Sequence, residues 1–233
     1  MRVSALQGRI AVVTGASRGI GAATASLLAR EGARVVRMSR TLAPKHGKET
    51  LDLRCDVTDA SQVRVAADLV RSEWGTPDIL VNNAGAFHLA PFEETSTAEF
   101  DAQLAANLRG PWLVAKAFVP MMRAGKGGLV VTVGSVADHN GFPGNAAYAA
   151  AKYGVRGLHE TLVAEHRGTG VRFTLVSPGP TDTAAWDAVD PDSREGFTPR
   201  AKMLRPEDVA SAIVFAATRP SHVQLDWLRL GPA

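Results

Sequence analysis

Tyr148 and Lys152 stand four residues apart in "YAAAK", in a chain with only two tyrosines. On a helix such positions share one face, with Cβ atoms about 5–6 Å apart, so a phenol and an ammonium project together. The three intervening alanines favour helix and leave the pair unobstructed. A free phenol has a pKa of about 10, and a neighbouring ammonium favours the phenolate, which brings Tyr148 toward acid and base work near neutral pH. Tyr153 has no such partner and is assigned to packing. Upstream, "VTVGSVADHN" (131–140) closes a β-branched run with Gly134 and Ser135. A hydroxyl there either donates to an oxygen that gains negative charge during reaction or bonds its own turn.

A second group of residues points to a phosphate-bearing ligand. "VVTGASRGIGAA" (12–23) places Gly15, Gly19 and Gly21 between a strand-like run and a helix-like one. Glycines there let backbone N–H groups approach a pyrophosphate, and the helix N-terminus adds partial positive charge. The spacing is G-x-x-x-G-x-G, which differs from the G-x-G-x-x-G dinucleotide fingerprint and by itself also fits a glycine turn before an ordinary helix. About 20 residues on, where a carboxylate would accept a ribose 2′-hydroxyl, the chain reads Met38, Ser39, Arg40. Arg40, aided by Arg18, suits a 2′-phosphate, which favours NADP(H) over NAD(H). Solvated loop charge is the plainer alternative, and Lys45, His46 and Lys48 nearby fit either. An oxidised nicotinamide ring would give Tyr148 a second positive neighbour.

These residues need a frame that brings them together. Short β-branched runs alternate with helical periods, the pattern of βαβ units and a parallel sheet. Seven strands are predicted, at 9–14, 34–39, 51–55, 78–82, 128–133, 171–176 and 223–230, and helices near 20–31, 60–74, 96–123, 147–167 and 206–218. Pro111 should kink or interrupt the long helix just after Asn107. Continuously apolar strands imply a sheet covered on both faces, a doubly wound α/β fold in three layers with ligands beyond the strands' carboxyl ends. Ser135 falls at such an end. The segment 178–205 has no sustained period and is rich in Pro, Asp and Thr, which reads as a substrate lid.

Composition narrows the classes. A length of 233 residues with 45% hydrophobic content fits one domain spanning 1–233. No segment approaches the roughly 20 apolar residues of a membrane span, and the N-terminal stretch lacks a secretory pattern, so a cytoplasmic protein is expected. The net charge of +3 comes from scattered basic residues, and aromatics are 6% of the chain, which argues against a nucleic-acid surface. Six histidines fall in no recognised metal spacing and there is one cysteine, so no catalytic metal is expected. Cys55, in "LDLRCDV", reads as a small core residue.

Taken in order, "TGASRGIG" (14–21), "CDVTD" (55–59), "NNAG" (82–85), Asn107 in "NLRG", Ser135, "YAAAK" (148–152) and "PGPTDT" (178–183) resemble the short-chain dehydrogenase/reductase family over nearly the whole chain. The resemblance implies a Rossmann-type fold and a four-residue site. Tyr148 would be acid and base, Lys152 would bind ribose hydroxyls and tune Tyr148, Ser135 would hold the substrate oxygen, and Asn107 would hold a water in a proton relay. It further implies a cofactor bound along Gly15, Ser17, Arg18, Gly19, Ile20 and Gly21, at Ser39 and Arg40, and by Asp56 and Val57 around adenine. Asn82, Ala84 and Gly85 would lie along it, and Pro178, Gly179, Thr181 and Thr183 near the carboxamide. Without the resemblance, "NNAG" reads as a strand-end turn, Asn107 as a kink residue and Asp56 as a helix cap. "VQLDWLRLGPA" departs from the Gly-rich tail of many members, notably the ketoreductases of fatty-acid synthesis.

The expected function is NADP(H)-dependent hydride transfer between the cofactor and a carbonyl or secondary alcohol. Phe87, His139, Phe142 and Trp186 are expected to bound an apolar substrate pocket. The alternatives are a non-catalytic dinucleotide sensor and an epimerase or dehydratase on the same scaffold. Small residues at Ala150, Gly154, Gly157 and Thr161 permit close helix approach, within the chain or in the homodimer or homotetramer that the resemblance implies.

Overall fold

The computed structural model describes residues 4–233. Its centre is an eight-stranded sheet in the order β3-β4-β2-β1-β5-β6-β7-β8. The strands are β1 (Ile10–Thr14), β2 (Arg34–Ser39), β3 (Lys45–His46), β4 (Thr50–Arg54), β5 (Ile79–Asn82), β6 (Gly128–Val133), β7 (Val171–Pro178) and β8 (Trp227–Leu230). All neighbours are parallel except β3 with β4, where Lys45 faces Asp52 and His46 faces Leu51. Seven of these strands match the runs read from the sequence. β3 is the addition: two exposed polar residues on a sheet edge carry no apolar alternation for pattern reading to detect.

Helices α1 (Gly19–Arg30) and α6 (Pro206–Ala217) cover one face, and α2 (Ala60–Glu73), α4 (Gly110–Ala124) and α5 (Ala146–Glu165) the other. Successive strand residues point to opposite faces, and the two cores sort accordingly. Val12, Leu80 and Val130 join Phe118 and Val70 on the α2/α4 side, while Ala11, Val13, Ile79, Val81, Leu129 and Val131 join Leu28 and Ile213 on the α1/α6 side. Phe118, wholly buried, contributes about 1.5–3 kcal/mol by leaving water. Strand order reverses between β1 and β5, and the crevice at that reversal is where a doubly wound sheet takes its ligand.

The long helix expected over 96–123 divides. α3 (Thr97–Leu104) opens with a Ser96–Glu99 capping box, and residues Ala105–Arg109 widen into a π-turn before α4. Pro111, second in α4, has no N–H to give to the Asn107 carbonyl four residues back, and the widened turn falls there. Pro120 also lies inside α4, which runs on through it. After β7 the chain runs through short 3₁₀ turns at Ala184–Trp186, Pro191–Ser193 and Arg200–Lys202. Arg200 gathers this segment, donating to Asp182 at 2.8 Å and Asp187 at 2.5 Å. Among the described residues no helix is long and apolar enough to cross a membrane, and no three His, Cys, Asp or Glu side chains cluster as metal ligands.

Candidate active site

Tyr148 lies in the first turn of α5 and Lys152 one turn on, held by the alanine-rich start of that helix. Lys152 is buried, and its Nζ donates to the Val133 carbonyl at the end of β6 at 2.9 Å. The same Nζ is 5.5 Å from the centre of the Tyr148 ring. Phe87 meets that ring edge-on at 5.0 Å, and Trp186 packs on Phe87 at 4.9 Å.

Ser135 follows β6 and caps a 3₁₀ turn over Val136–Asp138. Its Oγ accepts the Ala137 N–H at 3.1 Å, which leaves its own O–H free to donate elsewhere. Asn107, inside the π-turn and buried, clamps Ala86 by accepting its N–H at 3.2 Å and donating to its carbonyl at 2.8 Å. A Cβ at Gly85 would come within 2.5 Å of the Asn107 Oδ1, so that clamp requires glycine.

Two connected clefts lie at the carboxyl ends of the strands. The larger, about 570 Å³, is lined by Gly15, Ser17, Arg18, Gly19 and Ile20 of the first loop, Ser39 and Arg40 after β2, Asp56 and Val57 after β4, and Ala84, Gly85 and Thr183. The smaller, about 220 Å³, is lined by Asn107, Ser135, Tyr148 and Lys152, by Phe87, Phe142 and Trp186, and by Pro178, Gly179, Thr181 and Thr183. They meet at Ile20, Asn83, Gly85, Ala86, Thr183 and Ala185. The first loop is built for close approach: Gly15 has φ +66° and Gly19 φ +56°, where a side chain is strained. A Cβ on Gly15 would sit 2.8 Å from the Ala84 Cα.

Five expectations are corrected. Gly21 does not line the cleft; it lies behind the loop, where a Cβ would overlap the Gly15 carbonyl oxygen. Asn82, last in β5, points into the helix layer, giving Nδ2 to the Pro111 carbonyl at 3.4 Å, and Asn83 faces the cleft in its place. His139 stays out of the substrate cavity because Asp138 holds its Nδ1 at 2.6 Å and its ring packs edge-on against Trp227. Tyr153, assigned to packing, is instead 48% exposed. The cap of α2 is Asp59, not Asp56; Asp56 instead accepts from the Thr58 N–H and hydroxyl.

Residues 9–194 match the sequence profile of the short chain dehydrogenase family. The chain is 39% identical over 226 residues to D-threitol dehydrogenase of Mycolicibacterium smegmatis, covering 91% of this chain and 87% of that one. The chain belongs to the short-chain dehydrogenase family. Its fold is similar to the aldohexose dehydrogenase of Thermoplasma acidophilum, with TM-score 0.87 and 28% identity over 98% of this chain and 94% of that one. It is also similar to a metagenomic short-chain oxidoreductase in complex with NADP, with TM-score 0.81 and 33% identity over 99% of each chain. This short-chain dehydrogenase is an NAD(P)-dependent oxidoreductase.

Burial governs the charges in the dehydrogenase's small cavity. It pushes the Tyr148 phenol up to about 12, aided by the Asp138 carboxylate and opposed by the Ser135 hydroxyl. It pushes the Lys152 ammonium down to about 8, against the pull of Asp138. In the protein alone, desolvation therefore outweighs the depression of Tyr148 expected from its neighbour. Cys55, in the wall of the larger cleft, is raised to about 11 by burial and then by Asp56 and Asp59, so it stays a thiol.

The residues present fit a dinucleotide. The glycine loop lines the larger cleft just before the N-terminus of α1, where backbone N–H groups can meet a pyrophosphate, and Arg18 and Arg40, both exposed, have no carboxylate partner among the described residues. Two supporting residues escaped sequence reading. Asn83 donates to the Thr14 carbonyl at 2.9 Å, and buried Thr14 accepts from the N–H groups of Asn83 and Ala84 at 3.0 Å each, so β1 and β5 fix the loop together. The doubled asparagine in "NNAG" hides which one faces the ligand until the end of β5 is known. Asp138 is the other, and the S-x-x-D capping pattern from Ser135 was its signal.

Proposed function

We propose that this short-chain dehydrogenase interconverts a carbonyl and a secondary alcohol with NADP(H), using Tyr148 as acid and base. The observation that carries this is the convergence of Tyr148, Ser135, Lys152 and Asn107 on one 220 Å³ cavity that opens into the dinucleotide-sized cleft. When bound, the cofactor supplies the hydride and, in its oxidised form, a positive charge beside the phenol. Ser135 holds the substrate oxygen with its free O–H, and Tyr148 gives that oxygen a proton in reduction or takes one in oxidation. Lys152, fixed by Val133, favours the phenolate and offers its remaining N–H donors to a ribose. Asn107 holds a water in the proton relay.

Arg18 and Arg40 line the adenine end of the cleft with donors where NAD(H) selection would place a carboxylate. That supports NADP(H). Phe87, Phe142 and Trp186 give the small cavity an aromatic wall, which supports a modest apolar ketone as substrate, with 178–205 as its lid. The polyol named for the M. smegmatis relative supplies the second reading. Ketones and tetritols assayed with each cofactor decide between them: oxidation of threitol with no turnover of apolar ketones refutes the aromatic-wall reading.

The reading includes a homo-oligomer. Gly157 has open space before it, Trp112 on α4 and Tyr153 on α5 are 42% and 48% exposed, while Gly154 is taken up by Leu108 of its own chain. A monomer by sedimentation at micromolar concentration contradicts it.

A further inference from the structure

Asp138 has been assigned no contact with substrate or cofactor and acts on Tyr148 and Lys152 only through its charge, yet its carboxylate is wholly buried three residues after Ser135. Oδ2 accepts the Ser135 N–H at 3.0 Å and the Ser177 hydroxyl at 2.5 Å, and Oδ1 meets His139 Nδ1 at 2.6 Å. Ser177, on β7, in turn accepts the Trp227 indole N–H of β8 at 2.7 Å. Arg156 of α5 stacks on that indole at 4.4 Å and Arg229 at 5.1 Å. The backbone makes room for the carboxylate: a Cβ on Gly134 would overlap Oδ2.

A capping carboxylate that served only its own turn would sit in water and touch only that turn. Here the chain buries a charge, which is costly unless donors surround it, and draws one of those donors from a strand remote in sequence. The group these bonds bear on is Ser135. Its N–H is fixed by Asp138 and its Oγ by Ala137 N–H, so the direction of its free O–H is set by this turn. We propose that Asp138 is a positioning residue that aims the Ser135 hydroxyl into the small cavity and is braced from β7 and β8 through Ser177 and Trp227. This rests on the reading of Ser135 as the group that holds the substrate oxygen.

The test is a pair of mutant cycles in single-turnover carbonyl reduction at saturating NADPH: Asp138→Asn and Ser177→Ala, each alone and combined with Ser135→Ala, with NADPH dissociation constants measured alongside. Asp138→Asn should slow reduction roughly ten- to hundredfold, the scale of one hydrogen bond to a charged group, and Ser177→Ala about severalfold. NADPH affinity should change by no more than about twofold, and neither substitution should slow the Ser135→Ala enzyme further. An equal loss in the Ser135→Ala background reveals a general defect and overturns the proposal. So does a wild-type rate for Asp138→Asn while Ser135→Ala is slow. Should Ser135→Ala itself keep full activity, the reading beneath the proposal falls with it. If Asp138→Asn does not fold, the Ser177→Ala cycle decides by the same criteria.

Discussion

Lys152 Nζ reaches the Val133 carbonyl at 2.9 Å and stands 5.5 Å from the centre of the Tyr148 ring, so a buried ammonium is pinned to the end of β6 beneath a phenol. Burial holds that ammonium down to about 8, which means the folded protein binds its proton less tightly than the unfolded chain does. Between pH 8 and about 10.5 the unfolded state then carries more protons, and stability rises with pH across that window. Lys152→Met removes the buried charge. It should stabilise the cofactor-free protein at pH 7 by roughly 1–3 kcal/mol, with the gain fading above pH 10, while reductase activity is lost. Thermal melts at pH 7 and pH 10 check this, and a destabilised variant at pH 7 contradicts it.

Tyr148 gives the opposite sign. Its folded value of about 12 exceeds that of a free phenol, so the folded state holds the proton longer and stability falls as pH rises from about 10 toward 12. Tyr148→Phe should flatten that decline in urea titrations.

Arg18 and Arg40 both line the larger cleft. Replacing either with Ala should raise the KM for NADPH by about tenfold, one charge-assisted bond's worth, and leave the KM for NADH within about twofold. Equal changes for both cofactors would place the arginines away from a 2′-phosphate.

Gly21 sits where any Cβ overlaps the Gly15 carbonyl oxygen, a backbone atom that cannot step aside without moving the loop. Gly21→Ala should therefore lower the Tm and weaken NADPH binding by about tenfold or more, readable by calorimetry and fluorescence titration.

Trp186 forms the outer wall against Phe87. Trp186→Ala should raise the KM for aromatic ketones by about tenfold or more through lost apolar contact, with NADPH affinity kept. A change confined to cofactor binding would place Trp186 outside the substrate cavity.

Most of the frame was legible because each central strand is both β-branched and bounded by turn residues, as in "RIAVVTG" and "GLVVTVG". The four residues proposed for catalysis, which line one cavity, were legible through one fixed spacing on α5 and the order of the motifs. What escaped depended on side-chain direction or on distant partners. Asn82 and Asn83 differ by one position, and at a strand end that step sends the side chain to the opposite side. His139 looked like a pocket residue from its neighbours in sequence, but Asp138 and Trp227 turn it aside, and Trp227 is 88 positions away. β3 owes its existence to pairing with β4 and has no pattern of its own. The strength of desolvation at Tyr148 was likewise invisible, since it is set by the elements that enclose the helix start.

The most direct test of the account is turnover by Tyr148→Phe, which keeps the ring against Phe87 and removes only the hydroxyl. The account predicts that carbonyl reduction falls by a factor of about a thousand or more while the NADPH dissociation constant stays within about twofold. Turnover within about tenfold of the wild type, with NADPH bound normally, would show that the proton comes from elsewhere and would contradict the account at its centre.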